Sequence, residues 1–280
     1  MHASFLREIA SSVGVVQAAL LLVWRTPYVN QVLNAVARTA PPQVRSWVER
    51  RRAAIRQADL RRRIHRRARL VPEEDLRTLL ARGLRTLADR HGREALGSYL
   101  EFGVYNGTSL TCMYREVEAF GLDHMRLFGF DSFQGLPSSA ALEDEGRWEP
   151  GRCYSPIEFT EAVLQAEGVD LSRVALIPGW FSDTLNAQTR AAHGIEKASV
   201  IMIDCDLYSS AKQALDFCAP LIQDEALVLF DEWHPRGLDG KFVGEKKAFD
   251  EFLREWGCFS ATPFGKYARR TETFLVRRIR

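Results

Sequence analysis

The sequence predicts a doubly wound α/β fold: a mostly parallel, seven-stranded sheet with a helical extension ahead of it. Three observations carry this. From Ser98 onward, short apolar runs alternate with amphipathic helical stretches, the rhythm of a parallel sheet with crossover helices. Upstream of Gly97 no alternating strand pattern occurs. Near the C-terminus, two apolar runs follow one another with no room for a helix between them, which predicts an antiparallel hairpin at the sheet edge. A chain of 280 residues, 46% hydrophobic and 26% charged, can build one sizeable core with additions, and this balance excludes disordered, collagen-like and coiled-coil classes.

The predicted division is 1–97 as an arginine-rich helical extension, a lid or a dimerisation element, and 98–280 as the α/β domain. Met1 to Arg69 holds fourteen Arg and no Lys against three acids, although the whole chain is only +2. The basic stretch Arg50 to Arg69 reads as a helix whose cationic face is either simply solvated or turned to nucleic acid or an anionic membrane. It carries no interleaved aromatics, so nucleic acid is not expected as a partner. The apolar run Val13 to Trp24 is twelve residues, too short for the roughly 18 to 20 that cross a bilayer, and is expected to pair subunits in a homo-oligomer rather than to enter a membrane. A further helix opens after Val71-Pro72, with Glu73, Glu74 and Asp75 in its first turn, where the helix dipole favours acids. Five scattered cysteines without a CxxC pair, and no clear cleavage signal, fit a reducing, cytoplasmic setting.

The strands are read at 99–102, 126–130, 174–177, 199–203, 226–230, 258–264 and 273–278. The first ends in E-F-G-V-Y-N-G-T-S, and a helix begins near Thr108. Glycines at a strand-to-helix turn let backbone approach a ligand, and the helix start offers free N–H groups. By itself, E-x-G-x-x-x-G is equally compatible with a ligand-free tight turn. Asp131, ending the second strand, stands where α/β folds grip ribose hydroxyls. With no pyrophosphate fingerprint in the first turn, a nucleoside lacking a diphosphate fits best, and S-adenosylmethionine is the commonest.

The fourth and fifth strands deliver Asp204, Asp206, Asp231 and Glu232 to neighbouring carboxyl ends. Four such acids repel one another unless a proton or cation sits among them, and oxygen ligands without Cys or paired His favour Mg²⁺ or another hard divalent cation. Capping of the next helix by Asp206 or Ser209 would account for one acid, not four. His234 is a second candidate base, or merely structural. An acceptor pocket is expected from Pro137–Tyr154 and His234–Lys247, with Trp148, Tyr154 and Trp233 as lining or packing residues.

Together, E-F-G-V-Y-N-G-T-S (101–109), F-D-S-F-Q-G-L-P (130–137), P-G-W-F-S-D-T-L (178–185), I-D-C-D-L-Y-S-S (203–210) and D-E-W (231–233) resemble the macrocin O-methyltransferase family. The resemblance implies a Rossmann-like class I methyltransferase that uses S-adenosylmethionine and a metal to methylate hydroxyls of small molecules, sugars of natural products above all. It implies cofactor contacts at Glu101, Gly103, Gly107, Ser109, Asp131, Ser132 and Phe133, adenine contacts near Gly179, Trp180 and Phe181, and Asp204 against both cofactor and metal. Asp204, Asp231 and Glu232 fall on metal ligands, with Glu232 standing where the family usually carries Asp. Asp206 falls on the acid proposed as general base. A catechol-like or other vicinal diol as acceptor, and an inactive methyltransferase-like scaffold, are the competing readings.

Overall fold

A computed structural model of the chain describes residues 42–238 and 240–279; the run Val13–Trp24 lies outside them. The chain divides into two compact units between Arg67 and Ala68. The first contains α1 (Pro42–His65), whose last turn carries Arg62, Arg63 and His65. The expected basic helix is thus the C-terminal part of a longer one that stops short of Arg69. Among the described residues no helix is long and apolar enough to cross a membrane.

The second unit opens with α2 (Glu73–His91), followed by β1 (Ser98–Phe102), α3 (Thr108–Ala119), β2 (Leu127–Asp131), α4 (Ile157–Ala166) and β3 (Val174–Pro178). It continues through α5 (Phe181–Thr184), α6 (Ala187–His193), β4 (Ala198–Ile203), α7 (Tyr208–Cys218), β5 (Glu225–Phe230), α8 (Gly244–Trp256), β6 (Phe259–Gly265) and β7 (Glu272–Arg278). All seven strands lie within a residue of their predicted ends. The sheet order is β3-β2-β1-β4-β5-β7-β6. β1 through β5 pair in parallel, and β7 runs antiparallel to β5 and β6. This is the doubly wound sheet that the alternating pattern predicts, with the hairpin at its edge.

Side-chain alternation splits the core in two. Tyr99, Val200, Met202, Leu227 and Leu229 face a layer that includes α2 and α3, while Leu100, Phe102, Ile201, Ile203, Val228 and Phe230 face α7 and α8. The sequence reading places α2 in the extension, yet it is part of this body. Leu76, Leu79, Leu80, Leu84 and Leu87 recur at helical spacing, and all are buried in the first core layer. Gly83 lets the helix come close: a Cβ there would lie 2.4 Å from Leu227 Cδ2. The strand rhythm starts at Ser98, but the compact body starts at Ala68, because α2 shields one face of β5.

Candidate active site

Strand order reverses at β1, flanked by β2 and β4, and ligands of doubly wound folds bind outside the carboxyl ends at such a point. A cavity of about 520 Å³ lies there. Its wall takes Gly103–Asn106, Thr108 and Ser109 from the turn after β1, Asp131 and Ser132 from β2, and Trp180 and Phe181 after β3. Asp204 and Asp206 come from β4, and Asp231 and Glu232 from β5.

The β1 turn is held from two sides. Gly103 has φ 91°, and a Cβ on it would sit 1.8 Å from the Asp204 carbonyl oxygen, so the ends of β1 and β4 can meet only without a side chain. Asp131 ties the turn from β2: Oδ2 accepts from the backbone N–H groups of Val104 (2.8 Å) and Tyr105 (2.9 Å), and Oδ1 accepts from that of Phe133 (2.7 Å). Tyr105 and Phe133 both have left-handed φ, 50° and 53°, so Asp131 offsets backbone strain on either side of it. Burial raises its pKa even though these three donors pull it down. The sequence reading assigns Asp131 to a ribose; what the structure shows is that it organises two turns, which only tertiary geometry reveals.

Beneath the turn, Glu101 is fully buried and does not line the cavity. Its Oε1 accepts from Ser109 Oγ and its Oε2 from the Tyr99 hydroxyl, each at 2.6 Å. Burial nevertheless lifts its pKa to about 8. Gly107, Phe133, Gly179 and His234 also lie outside the cavity wall. Gly107, at φ 78°, precedes α3, where a Cβ would approach Leu164 Cδ2 to 2.9 Å. The backbone N–H of His234 donates to the Arg270 carbonyl at 3.1 Å. Of the expected pocket aromatics, Trp148 lines the cavity; Tyr154 is exposed, and Trp233 packs among Phe230, Phe249 and Phe274.

The acids of the floor form one electrostatic group. Burial, then Asp231 and Asp206, raise the pKa of Asp204; burial, then Asp231, raise that of Glu232. Asp206, held at φ 64°, is lifted to about 7, by burial first and then by Glu232 and Asp231. Cys153 Sγ–H donates to its Oδ2 at 3.8 Å. A fifth acid, Glu245 in the first turn of α8, escapes sequence reasoning. It is fully buried, its Oε2 accepts from the Glu232 backbone N–H at 3.1 Å, and its Oε1 has no hydrogen-bond partner. Glu232 Oε2 is likewise buried and unpartnered. Among the described residues no group of three His, Cys, Asp or Glu side chains is already arranged to hold a metal ion.

Neither Asp206 nor Ser209 caps α7. Its first N–H groups are taken by the loop after β2: Glu143 accepts from Ser209 N (2.9 Å) and Oγ (2.7 Å), and Asp144 Oδ2 accepts from Tyr208 N at 3.3 Å. Asp144 Oδ1 also accepts from Gly244 N, at 2.9 Å, at the start of α8. All four acids of the β4 and β5 ends are therefore free of helix-capping duty, and the loop that carries Trp148 is pinned to two helices.

The profile of the macrocin-O-methyltransferase (TylF) family matches residues 80–248. A Streptomyces olivaceus protein described as 8-demethyl-8-(2,3-dimethoxy-alpha-L-rhamnosyl)-tetracenomycin-C 4'-O-methyltransferase is 31% identical over 143 residues, 49% of this chain and 53% of that one. Demethyldecarbamoylnovobiocin O-methyltransferase of Streptomyces niveus is 26% identical over 148 residues, 51% of this chain and 55% of that one. The match thus spans about half the length of these curated relatives. Among solved structures, the O-methyltransferase NovP superposes with a TM-score of 0.57 at 21% identity, over 73% of this chain and 80% of its own. The calicheamicin methyltransferase CalS11 superposes at 0.55 and 20% identity, over 90% and 93%. These likenesses carry the fold, and the family profile, covering more than half of the chain, carries the kinship. On the cavity at the β1–β4 switch point, the acids on its floor and the profile match across them, the chain belongs to the macrocin O-methyltransferase family.

Proposed function

We propose that the protein is an S-adenosylmethionine-dependent O-methyltransferase that methylates a hydroxyl of a small molecule, a natural-product sugar above all. The observation that carries this is Asp206. It lies on the floor of a switch-point cavity, beside the turns that would hold a nucleoside and with a proton affinity raised to near neutrality. The relatives named above, methyltransferases by description, support the same reading.

The residues fit the cofactor in kind. Gly103–Tyr105 line the cavity, Asp131 lines it where it could accept from ribose hydroxyls, and Trp180 and Phe181 could offer apolar surface to a base. S-adenosylmethionine supplies an activated methyl group when bound. The chain's own work is then to hold the acceptor oxygen in line and to take its proton. Asp206, which lines the cavity, would receive that proton. A carboxylate with a pKa near 7 is half-charged at neutral pH, and loses less driving force as a base than an ordinary one would. Removing water from the cavity strengthens both effects.

Metal dependence is the second part of the proposal. Asp204, Asp231 and Glu232 would supply oxygen ligands to a hard divalent cation, which would acidify a bound hydroxyl. The unpartnered Glu232 Oε2 and the mutual repulsion of the floor acids support it. Titration calorimetry with S-adenosylhomocysteine, followed by a methyl-label assay against hydroxylated acceptors with Mg²⁺ or with EDTA, tests both parts. Binding and Mg²⁺-stimulated transfer are expected. Absent cofactor binding would reject the enzyme reading, and full activity in EDTA the metal.

A further inference from the structure

Acids line the cavity, but four arginines line it too: Arg147 and Arg152 from the loop after β2, Arg236 from the loop after β5, and Arg270 from the β6–β7 turn. Three separate segments converge on one cavity to bring them, whereas the turns at 103–109, 131–132 and 180–182 contribute no cation. The arginines therefore belong to the acceptor's part of the site rather than the nucleoside's.

Several arginines elsewhere on this body are paired with acids, while others, such as Arg126 and Arg190, donate to backbone carbonyls. Arg77 meets Glu116 at 2.6 Å, Arg90 meets Glu225 at 2.8 Å, and Arg115 meets Glu167 at 2.7 Å. None of the four cavity arginines has an Asp or Glu oxygen within 4.0 Å among the described residues. Arg147 rests over the Trp148 ring at 4.8 Å, and its Nε is removed from solvent without an acceptor. If these groups served only to neutralise the floor, they would close into forked pairs with the carboxylates at about 2.7 to 2.9 Å, the geometry a guanidinium strongly prefers. They act on the floor only at a distance: Arg147 and Arg152 favour the charged form of Asp206, and Arg270, Arg147 and Arg152 that of Glu232. Both sets of charges line the one cavity, so a ligand in it meets carboxylate acceptors together with arginines that no carboxylate occupies.

We propose that the acceptor is a hydroxylated molecule that also bears an anionic group, a phosphate ester or a carboxylate, received by Arg147, Arg152, Arg236 and Arg270 while its hydroxyl reaches Asp206. This rests on the methyltransferase reading of the same cavity. A neutral sugar offers these arginines no charged acceptor; an anion supplies one.

The test is titration calorimetry of the full chain saturated with S-adenosylhomocysteine, using α-glucose 1-phosphate, glucuronate and methyl glucoside as probes. The same titrations are made on the Arg236→Gln/Arg270→Gln double variant, whose changes lie in loops away from the core. At least one anionic probe is expected to bind roughly tenfold or more tightly than methyl glucoside, with that advantage lost in the double variant. Preference for the phosphate or for the uronate identifies which anion the arginines receive. Anionic probes that bind no better than methyl glucoside, or equally well to wild type and variant, overturn the inference while S-adenosylhomocysteine still binds. Failure of S-adenosylhomocysteine itself to bind would overturn the reading beneath it.

Discussion

The Tyr267 hydroxyl donates a 2.5 Å hydrogen bond to Oδ1 of Asp231, joining the β6–β7 turn to the end of β5. Tyr267 is buried, and its hydrogen bond opposes the burial that raises the proton affinity of Asp231. Tyr267→Phe keeps the ring packing and removes this one bond. Because hydrogen bonds to charged groups contribute about 1.5 to 3 kcal/mol, we expect a loss of that order in urea unfolding, together with reduced turnover. An unchanged unfolding midpoint would mean that the bond contributes nothing.

Asp206→Asn is an unusually clean test of the base. The residue sits at φ 64°, a left-handed conformation that Asn tolerates better than any other side chain except Gly, so the fold should persist. Turnover is expected to fall by roughly 10² to 10⁴, with S-adenosylhomocysteine affinity retained. A loss of cofactor binding in parallel would assign Asp206 to binding rather than proton transfer.

Glu101 makes stability depend on pH. Its folded pKa of about 8 lies above the ordinary 4.5, so the native state holds a proton that the unfolded chain releases. The resulting stabilisation is complete below pH 4.5 and is lost as pH rises towards 8, at about 1.4 kcal/mol per unit. Glu101→Gln keeps partners for Tyr99 and Ser109 but cannot ionise. Denaturation curves from pH 5 to 8.5 should therefore slope less steeply for the variant than for wild type, and parallel slopes would contradict the assignment.

Gly103→Ala should be among the most damaging single changes in the cavity wall. A Cβ would press within 1.8 Å of the Asp204 carbonyl, and φ 91° is strained for any L side chain. We expect a loss above about 2 kcal/mol in stability, read by thermal melting, and impaired cofactor binding because Val104 and Tyr105 must shift.

Much of this was legible in the sequence because it is local. Strand periodicity located all seven strands, and the ends of β1, β2, β4 and β5 already displayed Gly103, Asp131, Asp204, Asp206, Asp231 and Glu232. What was not legible depends on residues far apart in the chain. Asp144 accepts from Gly244, a hundred positions away; Tyr267 reaches Asp231; Glu245 sits under Glu232. None of these leaves a spacing pattern. Glu101 shows the opposite failure: its place in a recognisable motif suggested ligand contact, but strand alternation points its carboxylate into the body, towards Tyr99 and Ser109. The cavity arginines were invisible for the same reason as Asp144, since three loops deliver them.

Everything proposed for the cavity depends on the turns after β1 and β2 holding S-adenosylmethionine through the framework that Asp131 ties together. Calorimetric titration of S-adenosylhomocysteine into wild type and Asp131→Ala examines that dependence without needing the acceptor. Removing Asp131 frees the N–H groups of Val104, Tyr105 and Phe133 and, on the proposed reading, removes the acceptors that would meet ribose. We expect one site per chain in wild type and an affinity lowered roughly tenfold or more in the variant; no binding to wild type, or equal affinity in both proteins, would refute it.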